Sequence, residues 1–428
     1  MIYNSWKFAK AAILSAVFMA MTVPAAFAGT YNLTIDETTL KYSDTETPAM
    51  AINGTVPGPV LRFKEGEELT INVTNKLDED TSIHWHGLIL PYQQDGVPGI
   101  SFPGIKPKTT FTYNFPAQQA GTYWYHSHSG LQEQAGVYGA IVIEPKERDP
   151  FRFDREYVIV LSDFHTKDSP ETILKNLKKM SDYYNYQQRT LGTFFDDVAK
   201  KGFANTVSDR LDWGDMRMTP TDITDVSGYT FLMNGKDSKQ NWMGMFKEDE
   251  WIRLRFVNAA AMTFFDVRIP GLKMTVVQAD GLNVQPVPVD EFRIAVAETY
   301  DVIVRPEETK AYTIFARSMA RTGYVRGTLT PSKKKTAAIP KLGTPPLLTM
   351  ADMGGHGDHG GHGSMSGMDH GSMKKSETKM DHGAMSGMKH GSMKGMDHSK
   401  MGAMKHGSMK GMDHGKMGAM KHGSMKGM

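Results

Sequence analysis

Thr81-Ser82-Ile83-His84-Trp85-His86-Gly87 opens, and Gly121-Thr122-Tyr123-Trp124-Tyr125-His126-Ser127-His128-Ser129-Gly130 closes, the stretch on which this chain turns. Each end sets a His-X-His pair in a run of β-forming residues. Residues i and i+2 of a strand face the same side, so each pair presents two imidazoles together. On neighbouring strands, the two pairs bring His84, His86, His126 and His128 to one small volume. Neutral imidazole is the commonest metal ligand and suits copper, zinc, iron and nickel. A lone His-X-His also occurs as a packed surface pair. Two pairs among aromatic residues, followed by Gly or Ser-Gly, are read as a metal site.

The flanking residues alternate with the period of a strand. Leu69, Ile71 and Val73 interleave with Thr70, Asn72 and Thr74, and Phe111, Tyr113 and Phe115 repeat the pattern. Residues 140–143 give an apolar closing strand. Asn53-Gly54, Pro57-Gly58-Pro59, Glu65-Gly66, Asp95-Gly96 and Pro103-Gly104 read as turns between strands. Short strands at this spacing indicate an all-β chain whose first domain, residues 29–148, is a Greek-key β-sandwich. A second sandwich is expected over 149–331, with strands at 157–161, 251–257, 274–277, 292–296, 301–304 and 312–316. Ser169-Pro170-Glu171 opens a helix within it, as cap, first helical residue and first-turn acid, with Ile173, Leu174, Leu177 and Met180 as its apolar stripe. His165 is the second domain's only histidine and reads as a loop residue, so this domain is expected to be a metal-free spacer.

His-Trp-His-Gly, then Asp95-Gly96-Val97-Pro98, then Tyr-Trp-Tyr-His-Ser-His resembles the first-domain copper motifs of multicopper oxidases. Within that superfamily the chain is similar to the periplasmic copper-resistance oxidases of the copper-resistance protein A type. Residues 181–189, 216–222 and 227–235 carry the likeness, which runs from about residue 30 to 331. The resemblance implies that both sandwiches are cupredoxin domains. It implies that His84 binds a type 2 copper and that His86, His126 and His128 bind a type 3 pair, in the cluster where oxygen is reduced. It also suggests Asp95 as an acid assisting proton delivery there; a turn Asp before Gly is the equal alternative. Trp85 and Trp124 are read as packing that fixes the rings.

Composition sets further bounds. A net charge of +2 gives no bulk bias toward nucleic acid. Lys7 and Lys10, the apolar run 11–23 and Ala26-Phe27-Ala28 make residues 1–28 a secretory signal without a twin-arginine pair, too short to span a bilayer. A periplasmic protein without a membrane span after signal removal is therefore expected. From 332 the chain becomes a Lys/Pro linker and then a Met, His, Gly, Lys, Ser and Asp tail, lacking the apolar residues needed to fold alone. Lys389-His390-Gly391-Ser392-Met393-Lys394-Gly395-Met396-Asp397-His398 recurs from Lys405, and a further copy starts at Lys421. Thioether sulfur favours Cu(I), so residues 332–428 are read as a disordered copper-gathering segment.

Cysteine is absent, and a blue-copper site needs a Cys thiolate. The family's remaining ligands lie in His-X-X-His-X-His and His-Cys-His motifs, and neither occurs here. Two readings follow. The first is the N-terminal part of an oxidase that oxidises Cu(I) or phenolic substrates and reduces oxygen to water. The second is a non-enzymatic periplasmic copper-sequestering protein. A two-domain oxidase or nitrite reductase is disfavoured because it too needs the Cys. The last repeat stops at Met428 before the Asp-His that follows both earlier copies, so the first reading is preferred and further sequence is expected.

Overall fold

Strand alternation in the first part of the chain produces two facing four-stranded sheets. Its elements are β1 (Ala28–Tyr42), β2 (Thr45–Ile52), β3 (Leu61–Lys64), β4 (Glu68–Asn75), β5 (His84–His86), β6 (Thr110–Pro116), β7 (Gly121–His126), the short helix α1 (Gln132–Ala135) and β8 (Tyr138–Glu144). One sheet runs β2-β1-β4-β6 and the other β3-β8-β7-β5, with chain crossings between sheets in the cupredoxin manner. Leu69, Ile71 and Val73 of β4 pair with Phe115, Tyr113 and Phe111 of β6. They meet Trp85, Tyr125 and Ile141 of the opposite sheet in one core. Each such side chain contributes about 1.5–3 kcal/mol of burial.

The computed structural model describes residues 28–42, 44–180, 183–184, 189–215, 223 and 226–346. The expected signal (apart from Ala28), most of 181–189, all of 216–222 and the Met/His tail lie outside the described residues. Among the described residues, no helix is long and apolar enough to cross a membrane.

The second sandwich comprises β9 (Arg155–Phe164), helices α2 (Pro170–Lys179), α3 (Leu191–Lys201) and α4 (Phe203–Asp215), then β10 (Thr230–Met233), β11 (Trp242–Met245), β12 (Ile252–Asn258), β13 (Phe265–Arg268), β14 (Met274–Ala279), β15 (Leu282–Val289), β16 (Glu291–Ile294), β17 (Thr299–Val304), β18 (Tyr312–Ser318) and β19 (Tyr324–Thr330). Its sheets run β10-β9-β12-β17-β14-β15 and β11-β19-β18-β13-β16. Ser169 caps α2 by accepting the Thr172 N–H, and Pro170 opens it. The apolar stripe of α2 is narrower than expected: Ile173 is buried, whereas Leu174 and Met180 are exposed. His165 follows β9 directly. It lies in a loop, as expected, and is buried there, its Nδ1 accepting the Asp168 N–H at 2.8 Å. The strand expected over 292–296 ends at Ile294, and Ala297 turns the chain with φ 69°.

A polar seam and an apolar one join the sandwiches. Ala51, Val56, Trp124, Tyr138 and Ala140 of the first pack with Val160, Val257 and Ala259 of the second. Arg253 and Arg255 of β12 are both buried and converge on buried Asp301 of β17. Thr122 Oγ1 of β7 donates to Asp301 Oδ1 at 2.8 Å. Glu156 accepts from Arg62 of the first sandwich at 2.5 Å and from Arg255 of the second at 2.8 Å. At Gly121 an added Cβ would lie 2.4 Å from the Gly281 carbonyl oxygen, so the start of β7 lies against the β14–β15 turn.

Candidate metal centre

β5 is a three-residue strand at the edge of its sheet. It pairs antiparallel with β7, setting His84 opposite His126, Trp85 opposite Tyr125 and His86 opposite Trp124. Side chains alternate, so Trp85 and Tyr125 enter the core while His84, His86, Trp124 and His126 share the other face. His128 lies two residues beyond β7, and its ring joins the group. His84 ring centroids stand 5.6 Å from His86, 5.5 Å from His126 and 4.8 Å from His128. His126 stands 5.5 Å from His86 and 4.9 Å from His128. Ring nitrogens of His84, His126 and His128 lie within 4.8 Å of one another, and His86 Nδ1 lies 3.3 Å from His126 Nε2. The structure thus brings all four sequence-identified histidines together.

The rings of His84, His86 and His126 are oriented by their surroundings. His84 Nδ1–H donates to the Asp95 backbone carbonyl at 2.7 Å, leaving Nε2 free for a metal. The Asp95 carboxylate is farther away, with Oδ1 3.4 Å from the same nitrogen. Gly96 lets that carbonyl approach: its φ is +77°, and an added Cβ would lie 1.8 Å from the Ile83 carbonyl oxygen. Buried Trp124 stacks on His126 at 4.0 Å and 9°, and leans on His86 at 5.0 Å. His126 Nδ1 stands 2.5 Å from Glu133 Oε2, an ion-pair distance without the alignment of a hydrogen bond.

Burial pushes the pKa values of His84, His86 and His128 down, and repulsion from neighbouring imidazoles adds to it; His86 falls to about 4. Asp95 works against the shift at His84. These rings are neutral at neutral pH, the form that ligates. An all-imidazole donor set, close enough to share one ion or two adjacent ones, fits copper. Sequence reading did not single out Glu133 or Gln132. Gln132-Glu133-Gln134, directly after the second pair, was the available signal.

Tandem cupredoxin-like sandwiches with an imidazole cluster on the first define a copper protein of the oxidase class. Two family models, both described as "Multicopper oxidase", match residues 34–148 and 155–338. The chain belongs to the multicopper oxidase family. Copper resistance protein A of Escherichia coli is 57% identical over 358 residues, covering 83% of this chain and 58% of that protein. Copper resistance protein A of Pseudomonas syringae pv. tomato is 56% identical over 345 residues, covering 80% and 55%. Among solved structures, a laccase from Botrytis aclada superposes with a TM-score of 0.57 at 26% identity, covering 76% of this chain and 56% of that one. The chain therefore spans little more than half the length of these relatives.

Proposed function

We propose that residues 29–148 and 149–331 are the first two cupredoxin domains of a periplasmic copper-resistance oxidase, exported through the signal at 1–28. The observation that carries this is the convergence of imidazoles, with nitrogens of His84, His126 and His128 within 4.8 Å. His84 would hold a type 2 copper, and His86, His126 and His128 a type 3 pair. The remaining ligands and the type 1 site would come from outside this sequence, which contains neither the Cys nor the further His motifs. The substrate would be Cu(I) or a phenol, with oxygen reduced to water. The Met/His segment within 332–428 would gather Cu(I) through soft thioether sulfur.

Copper bound at the imidazoles supplies one-electron redox chemistry; the protein supplies geometry and protons. The Asp95 carbonyl holds the His84 proton on Nδ1, so that Nε2 would be the nitrogen available to copper. The Asp95 carboxylate, partly exposed and 3.4 Å from His84, would carry a proton from solvent toward the cluster. Trp124 restricts ring rotation at His126 and His86 and excludes water from one side of the site.

Complementation tests this proposal. The purified chain alone should show no intense blue band and no oxygen uptake with Cu(I), for want of a Cys. Adding the C-terminal part of a copper resistance protein A should restore uptake, and His126→Ala with His128→Ala should abolish it. Copper binding without uptake under every complementation would favour sequestration instead.

A further inference from the structure

The β5–β7 ladder places three of the four histidines and ends at the His84–His126 pair. His128 lies outside it, and side chains hold it instead. The His128 N–H donates to Ser82 Oγ at 2.9 Å, and Ser129 Oγ donates to the same atom at 3.0 Å. The Ser129 N–H donates to Ser127 Oγ at 3.0 Å. Ser127 Oγ donates in turn to Gln132 Oε1 at 2.9 Å, and Thr81 Oγ1 donates to that oxygen at 2.6 Å. Gln132 Nε2 donates to Glu79 Oε1 at 2.7 Å and to the Asp80 carbonyl at 2.9 Å.

Gln132 is 3% exposed, and its amide uses both donors and both acceptor sites. The orientation is fixed chemically, because exchanging the amide oxygen and nitrogen would set oxygen against the Glu79 carboxylate and the Asp80 carbonyl. Glu79 to Ser82 lead into the first histidine pair, and Ser127 lies between the members of the second. One buried amide therefore ties the two segments together on the side where the sheet has stopped. A fully satisfied buried network of this kind is rigid, and each lost partner leaves another group unpaired.

We propose that Gln132 is a positioning residue for the metal centre: through Ser127 and Thr81 it sets His128 against His84 and His126. This rests on the proposal that these histidines hold copper. The test follows quenching of tryptophan fluorescence by Cu(II) in the full chain. Trp124 stacks on His126 at 4.0 Å, and residues 347–428 contain no tryptophan, so copper at the centre is read apart from copper on the tail. Trp124→Phe identifies the Trp124 share of the signal.

Gln132→Met keeps the side-chain length and removes the hydrogen bonds. It should raise the Cu(II) concentration for half-quenching about tenfold, the usual loss when a residue behind a ligand is removed. His128→Ala should cost a similar factor. The double variant should be no worse than His128→Ala, whereas Gln132→Met and His86→Ala should multiply, because coupled residues are non-additive and independent ones add. General loosening of the fold would not give that contrast. If Gln132→Met does not fold, Ser127→Ala, which cuts the link to His128, should give the same pattern. Wild-type quenching by either variant while His128→Ala is weakened, or multiplication with His128→Ala, would overturn the assignment. Wild-type quenching by His128→Ala would instead refute copper binding at His128, and the assignment with it.

Discussion

Asp301→Asn should be among the most damaging single substitutions outside the histidines. Asp301 Oδ2 accepts from Arg253 Nε and Arg255 Nη1, each at 2.8 Å, and lies 2.7 Å from Arg253 Nη2. Arg253 also pairs with Asp149, while Glu156 is shared between Arg255 and Arg62. Cations Arg62, Arg253 and Arg255 thus balance anions Asp149, Glu156 and Asp301, with Arg253 and Arg255 only 1% and 3% exposed. Removing one buried carboxylate leaves a net positive charge in the seam, which costs about 3–5 kcal/mol. In urea, with an m-value near 3 kcal/mol/M, the midpoint should fall by roughly 1–2 M. Tryptophan fluorescence and far-UV circular dichroism, followed together, would measure it. Thr122→Val should cost about 1–3 kcal/mol by leaving Asp301 Oδ1 without its hydroxyl donor, and the double variant should cost less than the sum. A midpoint shift below about 0.3 M for Asp301→Asn would refute the claim that this network holds the sandwiches together.

Three further outcomes are expected. Burial tends to raise the Glu156 carboxyl pKa, but the charges of Arg255 and Arg62 and the hydrogen bonds they donate outweigh it and hold the value below the usual one. Its contribution to stability is therefore complete above the ordinary glutamate range and lost as pH falls through the lowered value; a Glu156→Gln variant whose stability falls equally over that window would contradict this. Gly96→Ala should destabilise by about 3 kcal/mol, against about 1–2 kcal/mol for Gly66→Ala, because both have positive φ but only Gly96 meets a backbone carbonyl; thermal denaturation of the pair checks it. A chain ending at Lys341 should bind fewer Cu(I) ions by equilibrium dialysis yet unfold with the same cooperativity, and equal stoichiometry would reduce the tail to a linker.

The strands that alternate cleanly were legible before any coordinates. Residues 69–73 and 111–115 pair across one sheet because their apolar period is two, and the helix at 170 announced itself by cap and proline. His84 and His86 were legible for the same reason, since i and i+2 share a face; His128 lies beyond the end of β7, so strand periodicity alone does not account for its position. Other features left no comparable trace. Arg253 and Arg255 look like solvent-facing residues in an alternating strand; the carboxylates they are buried with, Asp149, Glu156 and Asp301, are distant in sequence, and for Arg255 Thr122 of the other sandwich joins them. Helices α3 and α4 carry exposed Leu191, Phe195, Phe203 and Leu211, so they lack a clean apolar stripe. The contact of Asp95 with His84 runs mainly through a backbone carbonyl, which every residue has; the informative residue was Gly96. Gln132 was invisible because, besides nearby Ser127, its role depends on partners more than 45 positions away in sequence.

Diffraction at the copper absorption edge from crystals of the copper-loaded chain tests the metal centre most directly. Anomalous density should appear in the space enclosed by His84, His86, His126 and His128, and should be lost from crystals of the His126→Ala, His128→Ala variant. Density confined to other sites, with those four rings free of metal, would contradict the assignment of the histidine pairs as copper ligands.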